Sequence, residues 1–227
     1  MNSRPLFQIA LDVADIDEAL RIAEDVREFA DVIEVGTVLL KKEGVRSIER
    51  IKTDYPDKLV FADTKTVDFG QLEAQIVFQA GADIMSVCGV ATDETILEAL
   101  EEACAHRKKV LVDLIGLGDS YRQAKRLSFL GPDYLSVHSG TDRHTSSDEL
   151  FEKVEVISQI SPIPLMVSGG ILLDDVTYLM MFHPAIIVVG SSIIHSPRRR
   201  ETAERFWRSI NTLPFLPSDY EDDMSKE

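Results

Sequence analysis

The chain has 227 residues, of which 44% are hydrophobic, and its formal net charge is −15. This length predicts one domain with a sizeable core, and the negative charge argues against nucleic acid or an anionic membrane as a partner. No run approaches the roughly 18 unbroken apolar residues of a membrane span. Residues 1–5 lack the apolar core of a secretory signal, and Cys88 and Cys104 stand alone, so we expect buried free thiols and a cytoplasmic location.

Short apolar runs alternate with longer amphipathic segments along the chain. The first run leads to a predicted helix over residues 15–29, with Asp15 as its N-cap and Glu18 three residues later. Several runs are almost continuously apolar, as expected of parallel strands covered by helices. The predicted strands are residues 7–13, 32–35, 59–62, 84–87, 110–114, 134–137, 165–167 and 186–189.

The segments around the even-numbered strands resemble one another. Val35, Val87, Val137 and Val189 end these strands and are 52, 50 and 52 residues apart. This spacing indicates a unit of two strands and two helices used four times. The sequence therefore predicts an α/β fold of the (β/α)8 TIM barrel type in residues 1–210, followed by an acidic C-terminal extension in residues 211–227. The alternative, a doubly wound open sheet, would not require this spacing, and the Gly-x-Gly-x-x-Gly turn of dinucleotide-binding sheets is absent after the first strand.

Polar residues mark the carboxyl ends of the predicted strands, where the active sites of such barrels lie. A single aspartate there would mean little, because aspartate also favours turns. Four carboxylates, a lysine and a histidine on one rim instead indicate a catalytic site. These residues are Asp12, Glu34, Asp63, Lys65, Asp113 and His138.

The third strand leads into the most informative segment, Asp63-Thr64-Lys65-Thr66-Val67-Asp68. Two carboxylates hold the lysine between them in its charged form, and a fixed cation suits chemistry that develops an oxyanion. Glu34 and Asp63 lie on adjacent strands, and Mg²⁺ commonly binds one or two carboxylates together with water and substrate oxygens. We therefore predict a Mg²⁺ site at this pair, and His138 as a group able to move a proton at neutral pH.

The last two strands end in glycine-rich segments. Ser168, Gly169 and Gly170 follow the seventh strand, and Gly190 and Ser191 follow the eighth. Loops at these positions of a barrel often bind phosphate through backbone amides. Ordinary tight turns are the alternative, and the sequence leaves both readings open.

The chain resembles the orotidine 5'-monophosphate decarboxylase suprafamily, which has a (β/α)8 fold and an Asp-x-Lys-x-x-Asp motif after the third strand. Asp63, Lys65 and Asp68 match this motif, and the resemblance covers about residues 6 to 210. Orotidylate decarboxylases carry a lysine at the end of the second strand. Glu34 at that position instead resembles the metal-dependent branch, which contains 3-hexulose-6-phosphate synthase and 3-keto-L-gulonate-6-phosphate decarboxylase.

The resemblance implies a role for each matched residue. Glu34 and Asp63 would bind Mg²⁺, which stabilises an enediolate formed on a phosphorylated keto sugar. Lys65 would stabilise the enediolate oxygen, and Asp68 would reach the site of the neighbouring subunit in a homodimer.

Three positions separate the synthase from the decarboxylase. Asp113 stands where the decarboxylase typically has glutamate, the segment from His138 to Asp142 lacks the decarboxylase's His-x-x-Arg pattern, and Gly190-Ser191 replaces Gly-Arg. All three favour the synthase, a lyase that condenses formaldehyde with D-ribulose 5-phosphate. His138 is then the expected proton shuttle, with Asp113 or Asp12 assisting.

Three alternatives remain. The chain could be a 3-keto-L-gulonate-6-phosphate decarboxylase. A ribulose-phosphate 3-epimerase on the same fold would need metal-binding histidines on early strands, and the sequence has none there. A non-catalytic protein that binds sugar phosphates is the alternative from another class, because fold alone does not fix function.

Overall fold

Eight parallel strands close into a barrel in the computed structural model, which describes residues 4–140, 142 and 147–212. β1 pairs with β2 on one side and with β8 on the other, with Gln8 opposite Val32 and Leu6 opposite Ile186. The predicted single-domain (β/α)8 barrel is therefore confirmed. The strands are β1 Leu6–Leu11, β2 Val32–Val35, β3 Leu59–Thr66, β4 Ile84–Cys88, β5 Lys109–Asp113, β6 Tyr134–His138, β7 Leu165–Ser168 and β8 Ile186–Val189.

Helices connect the strands and cover the outside of the barrel. Asp15 caps the first helix as predicted, because its carboxylate accepts the Glu18 N–H at 2.8 Å. The α-helices are α1 Ile16–Val26, α2 Thr37–Glu43, α3 Arg46–Asp54, α4 Gly70–Gln79, α5 Asp93–His106, α6 Ser120–Ser128, α7 Ser147–Ile160, α8 Asp175–Leu179, α9 Ser191–Ile194 and α10 Arg199–Thr212, and a 3₁₀ helix spans Met180–Phe182. Residues 213–227, which make up most of the predicted acidic extension, lie outside the described residues.

The apolar residues form two packed layers. The larger layer lies between the strands and the helices, and the smaller one fills the barrel interior. Phe61 is the largest side chain of the inner layer and is 1% exposed. The inner layer consists of Ala10, Val32, Phe61, Ile84, Leu111, Met166, Ile186 and Val188. The charged residues Glu34, Asp63 and Asp113 lie toward the carboxyl ends of their strands.

An aspartate precedes three of the four even-numbered strands. Asp31, Asp83 and Asp133 each accept a backbone N–H from the preceding strand at 2.9 Å. The fourth repeat has Ala185 in place of the aspartate. The sequence similarity among the repeats thus reflects an aspartate that hydrogen-bonds the neighbouring strand at the amino-terminal face.

Strand β3 continues further than the sequence predicts. It was expected to end at Ala62, but it runs through the charged segment to Thr66. Its pairing with β4 shifts register between Ala62 and Thr66, and Thr66 lies opposite Val87. The bulge turns Lys65 toward the rim, because an inserted residue re-aims the side chains of a strand.

Both cysteines are free thiols. Cys88 is buried, as predicted. Cys104 is exposed, so the prediction of burial was wrong for this residue. The buried face of α5 consists of Thr95, Ile96, Ala99 and Ala103, and Cys104 lies outside it. None of the helices in the described part of the chain is long and apolar enough to cross a membrane.

Candidate active site

Lys65 lies at the centre of a charged group on the rim. Its ammonium contacts both carboxylate oxygens of Asp63, at 3.0 and 2.8 Å, and lies 3.4 Å from Asp113 Oδ2. Burial alone would lower the pKa of Lys65, but the charges of Asp63 and Asp113 outweigh that effect and raise the pKa. The lysine is therefore a permanent cation at neutral pH.

Asp113 connects the lysine to His138. Asp113 is 2% exposed, and its carboxylate accepts the Ile115 N–H at 3.0 Å. His138 Nδ1 lies 3.4 Å from Asp113 Oδ2. Burial would raise the pKa of Asp113, but the hydrogen bond and charge of His138, together with the charge of Lys65, lower it. A carboxylate beside Nδ1 favours a proton on that nitrogen, which leaves Nε2 able to accept one.

Glu34 and Asp12 complete the acidic side of the rim. Glu34 is buried on β2, and its Oε2 accepts a hydrogen bond from Gln8 Nε2 at 2.6 Å. The pKa of Glu34 is raised well above its ordinary value, first by burial and then by the charges of Asp63 and Asp12. The pKa of Asp12 is also raised, by loss of hydration and by the charge of Asp63.

Asp12 lies close to the start of the loop after β2. A β-carbon on Gly36 would come within 2.2 Å of Asp12 Oδ1. Glycine at this position is therefore what lets the two loops approach each other and places Asp12 beside Glu34.

The carboxylates are suited to a hard divalent cation. One ammonium faces four carboxylates. Burial, and then the repulsion among Asp12, Glu34 and Asp63, raise the pKa values of Glu34 and Asp12. An added cation would relieve that repulsion. The described residues contain no cluster of three or more side chains already arranged around a metal position. Mg²⁺ needs only one or two carboxylates when water and substrate supply the other oxygens, so the donor set is compatible with it.

Three polar residues that bond these carboxylates were not predicted from the sequence. Gln8 bonds Glu34, Thr37 Oγ1 donates to Asp63 Oδ2 at 2.8 Å, and Ser86 Oγ donates to Asp63 Oδ1 at 2.8 Å. Gln8 and Ser86 are fully buried. The alternation of side chains along a strand could have placed both inside the barrel, but nothing in the sequence says which carboxylate each would contact.

The glycine-rich loops after β7 and β8 lie next to each other. The Ser192 hydroxyl donates to the Ile171 carbonyl at 3.0 Å and joins the two loops. Gly169 has φ 99°, and a β-carbon there would come within 2.2 Å of the Ser139 carbonyl oxygen. Ser168 is buried at the end of β7, and Ser191 begins the short helix α9. The predicted phosphate-binding residues Ser168, Gly169, Gly170, Gly190 and Ser191 thus lie in these two loops or directly at their ends.

Asp68 is the predicted site residue that does not join the group. It is exposed, and its Oδ1 accepts the N–H of the next residue, Phe69, at 2.9 Å. Within the described ranges, no hydrogen bond or ion pair connects Asp68 to the other charged residues of the site. Thr141, which stands in the segment used to separate synthase from decarboxylase, lies outside the described residues.

A closed barrel with a cation, carboxylates and a histidine converging on its carboxyl-terminal rim has the architecture of a (β/α)8 enzyme. The sequence profile of the orotidine 5'-phosphate decarboxylase / HUMPS family matches residues 5–206. The chain belongs to this family.

Relatives in the family are lyases. The chain is 36% identical over 204 residues to 3-hexulose-6-phosphate synthase of Bacillus subtilis, a match that covers 89% of this chain and 97% of the relative. The crystal structure of 3-hexulose-6-phosphate synthase from Salmonella typhimurium has a TM-score of 0.87 at 33% identity, covering 90% of this chain and 98% of the other. The structure of 3-keto-L-gulonate-6-phosphate decarboxylase from Vibrio cholerae has a TM-score of 0.82 at 26% identity, covering 92% and 99%. The chain is accordingly an enzyme of the lyase class, similar to 3-hexulose-6-phosphate synthases.

Proposed function

We propose that the enzyme is a Mg²⁺-dependent aldolase that condenses formaldehyde with D-ribulose 5-phosphate to give 3-hexulose 6-phosphate through an enediolate. The observation that carries this proposal is the Lys65 ammonium, held within 3.0 Å of both Asp63 oxygens and 3.4 Å from Asp113, beside the buried Glu34. A preorganised cation at this position can stabilise negative charge that develops on a substrate oxygen. The synthase relatives support the choice of reaction.

His138 is the base that we assign to the first step. It takes the proton from C1 of the sugar phosphate, and the C–H electrons form the C1–C2 double bond while the C2 oxygen gains negative charge. Lys65 stabilises this oxygen. The Asp113 carboxylate accepts a hydrogen bond from the Nδ1–H of His138 and so orients the ring, without taking the proton, as a carboxylate does in other histidine-assisted mechanisms.

The second step forms the new carbon–carbon bond. C1 attacks the carbon of formaldehyde, the C1–C2 double bond becomes a carbonyl again at C2, and the formaldehyde oxygen takes the proton that His138 holds. The protons therefore balance over the cycle, and His138 returns to its neutral form. We assign Asp12 the role of assisting either transfer.

Glu34 and Asp63 are the residues that would hold Mg²⁺. The bound ion would supply positive charge next to the developing oxyanion. The phosphate group of the sugar would bind to the joined loops, through the Gly169, Gly170 and Gly190 backbones and the Ser168 and Ser191 side chains, since backbone amides at loops of this type bind anions well.

A second copy of the chain would complete the site. Asp68 is exposed and is next to Phe69, which is 66% exposed. Leu72 and Ile76 extend this apolar face along α4, and both are exposed. Contiguous exposed apolar residues of this kind mark interaction surfaces, so we infer a homodimer in which Asp68 reaches the partner's site. The two free thiols are compatible with a reducing cytoplasm.

The test is formaldehyde consumption in the presence of D-ribulose 5-phosphate, with Mg²⁺ and with a chelator. Wild type is expected to consume formaldehyde only with Mg²⁺. Lys65→Ala should lose activity by on the order of 10³-fold, because it removes the fixed cation. A folded wild type that consumes no formaldehyde but releases CO₂ from 3-keto-L-gulonate 6-phosphate would identify the decarboxylase instead. Inactivity with both sugars, with binding of ribulose 5-phosphate retained, would favour the non-catalytic alternative.

A further inference from the structure

The backbone of Lys65 has an unusual conformation. Its φ is 50°, in the left-handed region that non-glycine residues rarely occupy. The residue lies in the β3 bulge, where the register between β3 and β4 shifts. Such a conformation persists only when neighbouring groups hold it, and it is common at functional sites. Contacts that fix the Lys65 backbone therefore also decide where its ammonium lies.

Ser86 on β4 provides the central contact. Its hydroxyl oxygen accepts the Lys65 N–H at 2.9 Å, and the same hydroxyl donates to Asp63 Oδ1 at 2.8 Å. Ser86 is fully buried, so water cannot replace either bond. One hydroxyl thus connects the backbone of the lysine to the carboxylate that its own ammonium contacts.

Two more contacts between β4 and the bulge around Lys65 hold the same stretch of backbone. The Thr64 hydroxyl donates to the Ser86 carbonyl at 2.5 Å, and the Cys88 thiol lies 3.5 Å from the Lys65 carbonyl oxygen. These bonds fix the main chain on either side of Lys65, but neither touches the Asp63 carboxylate. Thr37, by contrast, bonds Asp63 but makes no hydrogen bond to Lys65.

We propose that Ser86 is a positioning residue for the lyase reaction: its hydroxyl sets the distance and orientation between the Asp63 carboxylate and the Lys65 ammonium. This inference rests on the proposed function for its kinetic readout. Without the hydroxyl, the Lys65 N–H is left buried and unpaired, and the turn relaxes toward an ordinary backbone conformation. The ammonium then moves away from the position that the developing oxyanion requires, while the residues that hold the sugar phosphate stay in place.

The experiment compares Ser86→Ala with Ser136→Ala. Ser136 is a matched control, because it is also a buried serine inside the barrel, 1% exposed, and its hydroxyl has no hydrogen-bond partner among the described residues. For Ser86→Ala we expect kcat to fall by about 10- to 100-fold with KM for ribulose 5-phosphate changed less than about threefold, since misplacement affects the transition state more than binding. Ser136→Ala should keep wild-type kinetics.

Two conservative variants separate positioning from general loss of stability. Ser86→Thr keeps a hydroxyl and should recover most of kcat. Ser86→Cys keeps the size of the side chain but offers a poorer donor and acceptor, so its kcat should fall even if Ser86→Ala fails to fold. Wild-type kcat in a folded Ser86→Ala or in Ser86→Cys would overturn the proposal, as would an equal loss in Ser136→Ala.

A readout independent of the reaction distinguishes failure of this proposal from failure of the proposed function. Hydrogen exchange of the Lys65 amide should be faster in Ser86→Ala than in wild type and unchanged in Ser136→Ala, because the amide loses its acceptor. If wild type does not consume formaldehyde, the proposed function fails, and the Ser86 assignment stands or falls on this exchange rate. Unchanged protection of the Lys65 amide would overturn it.

Discussion

At the scale of single residues, the site depends on charges that cannot be considered separately. Lys65 keeps its proton because Asp63 and Asp113 outweigh the effect of burial. Asp113 stays ionised for the converse reason, since His138 and Lys65 lower its pKa. Glu34 lacks a cationic hydrogen-bond partner among the described residues, and its pKa is raised. A divalent cation would therefore alter the pKa values most on the acidic side of the rim.

The raised pKa of Glu34 predicts how cation affinity depends on pH. Binding of Mg²⁺ requires the carboxylate to lose its proton, so affinity should rise with pH until Glu34 is ionised without the metal. Below that point, each pH unit should weaken binding by up to roughly tenfold. Isothermal titration with Mg²⁺ between pH 5 and pH 8 measures this, and the dependence should extend above the ordinary glutamate value of 4.5.

Glu34→Gln is the matched variant for this prediction. It keeps the size of the side chain and removes the titrating group, so binding should be weaker than in wild type and less dependent on pH. An affinity that is independent of pH in wild type, or equal in the two proteins, would exclude Glu34 as a ligand.

The sequence identified the charged residues of the rim but not the polar residues that hydrogen-bond to them. Carboxylates at strand ends stand out because such groups are rarely placed there by chance in this number. A buried serine or glutamine inside a strand, such as Ser86 or Gln8, has no comparable signal. Their partners depend on the register between β3 and β4 and between β1 and β2, which only the folded barrel defines.

At the scale of elements, the repeated aspartates stabilise the amino-terminal face. Asp83 accepts the Val60 N–H at 2.9 Å and also bonds Lys52 at 2.9 Å and Lys108 at 2.6 Å. These bonds lower the pKa of Asp83 even though partial burial would raise it. One side chain thereby connects β3, β4, α3 and the start of β5.

Asp83→Asn should lower the free energy of unfolding by about 1–3 kcal/mol, because it removes the charge that both lysines bind while keeping the side-chain shape. Asp57→Asn is the control, since Asp57 is mostly exposed and lies 3.6 Å from Lys58. It should change the free energy of unfolding by less than about 0.5 kcal/mol. Urea unfolding at pH 7 measures both values.

The same aspartate predicts a dependence of stability on pH. Because the folded-state pKa of Asp83 lies below the ordinary 3.8, its contribution is fully present above that ordinary value and is lost as the pH falls through the lower, folded-state pKa. The difference in stability between wild type and Asp83→Asn should therefore shrink toward zero in acid. A difference that stays constant from pH 6 to pH 2 would contradict this assignment.

The elements also show where prediction from sequence stopped short. Strands 32–35 and 186–189 match the observed β2 and β8, because their apolar runs have clear ends. Strand β3 runs four residues past its predicted end at Ala62, through Thr64 and Lys65 to Thr66. Polar residues normally signal a loop, but β4 lies alongside and offers Thr66 a pairing partner in Val87.

At the scale of the whole molecule, the proposed dimer explains why Asp68 lies apart from the other site residues. If Asp68 acts in the partner's site, a Lys65→Ala chain and an Asp68→Ala chain can complement each other. Mixing the two inactive proteins under conditions that exchange subunits should restore roughly a quarter of wild-type activity, because half of the dimers are mixed and each carries one intact site. The formaldehyde assay measures the recovery.

Mixing Lys65→Ala with Lys65→Gln is the control and should restore nothing, because every site in that mixture lacks the lysine. Failure of the first pair to recover activity, with subunit exchange established by mass spectrometry, would show that Asp68 acts within its own chain or not at all. A wild-type protein that is monomeric by sedimentation and fully active would likewise show that Asp68 does not act in a partner's site.

The sequence by itself determined the fold class, the number of strands, the family and the charged residues of the rim. Those features depend on periodic apolar runs and on residue types at strand ends, both of which are local properties of the chain. Only the tertiary structure decided that Lys65 lies between Asp63 and Asp113, that the Ser86 hydroxyl accepts the N–H of the left-handed Lys65, and that Asp68 is exposed. These relations follow from strand register and barrel closure, and the longest of them joins Lys65 to Asp113, 48 positions away in the sequence.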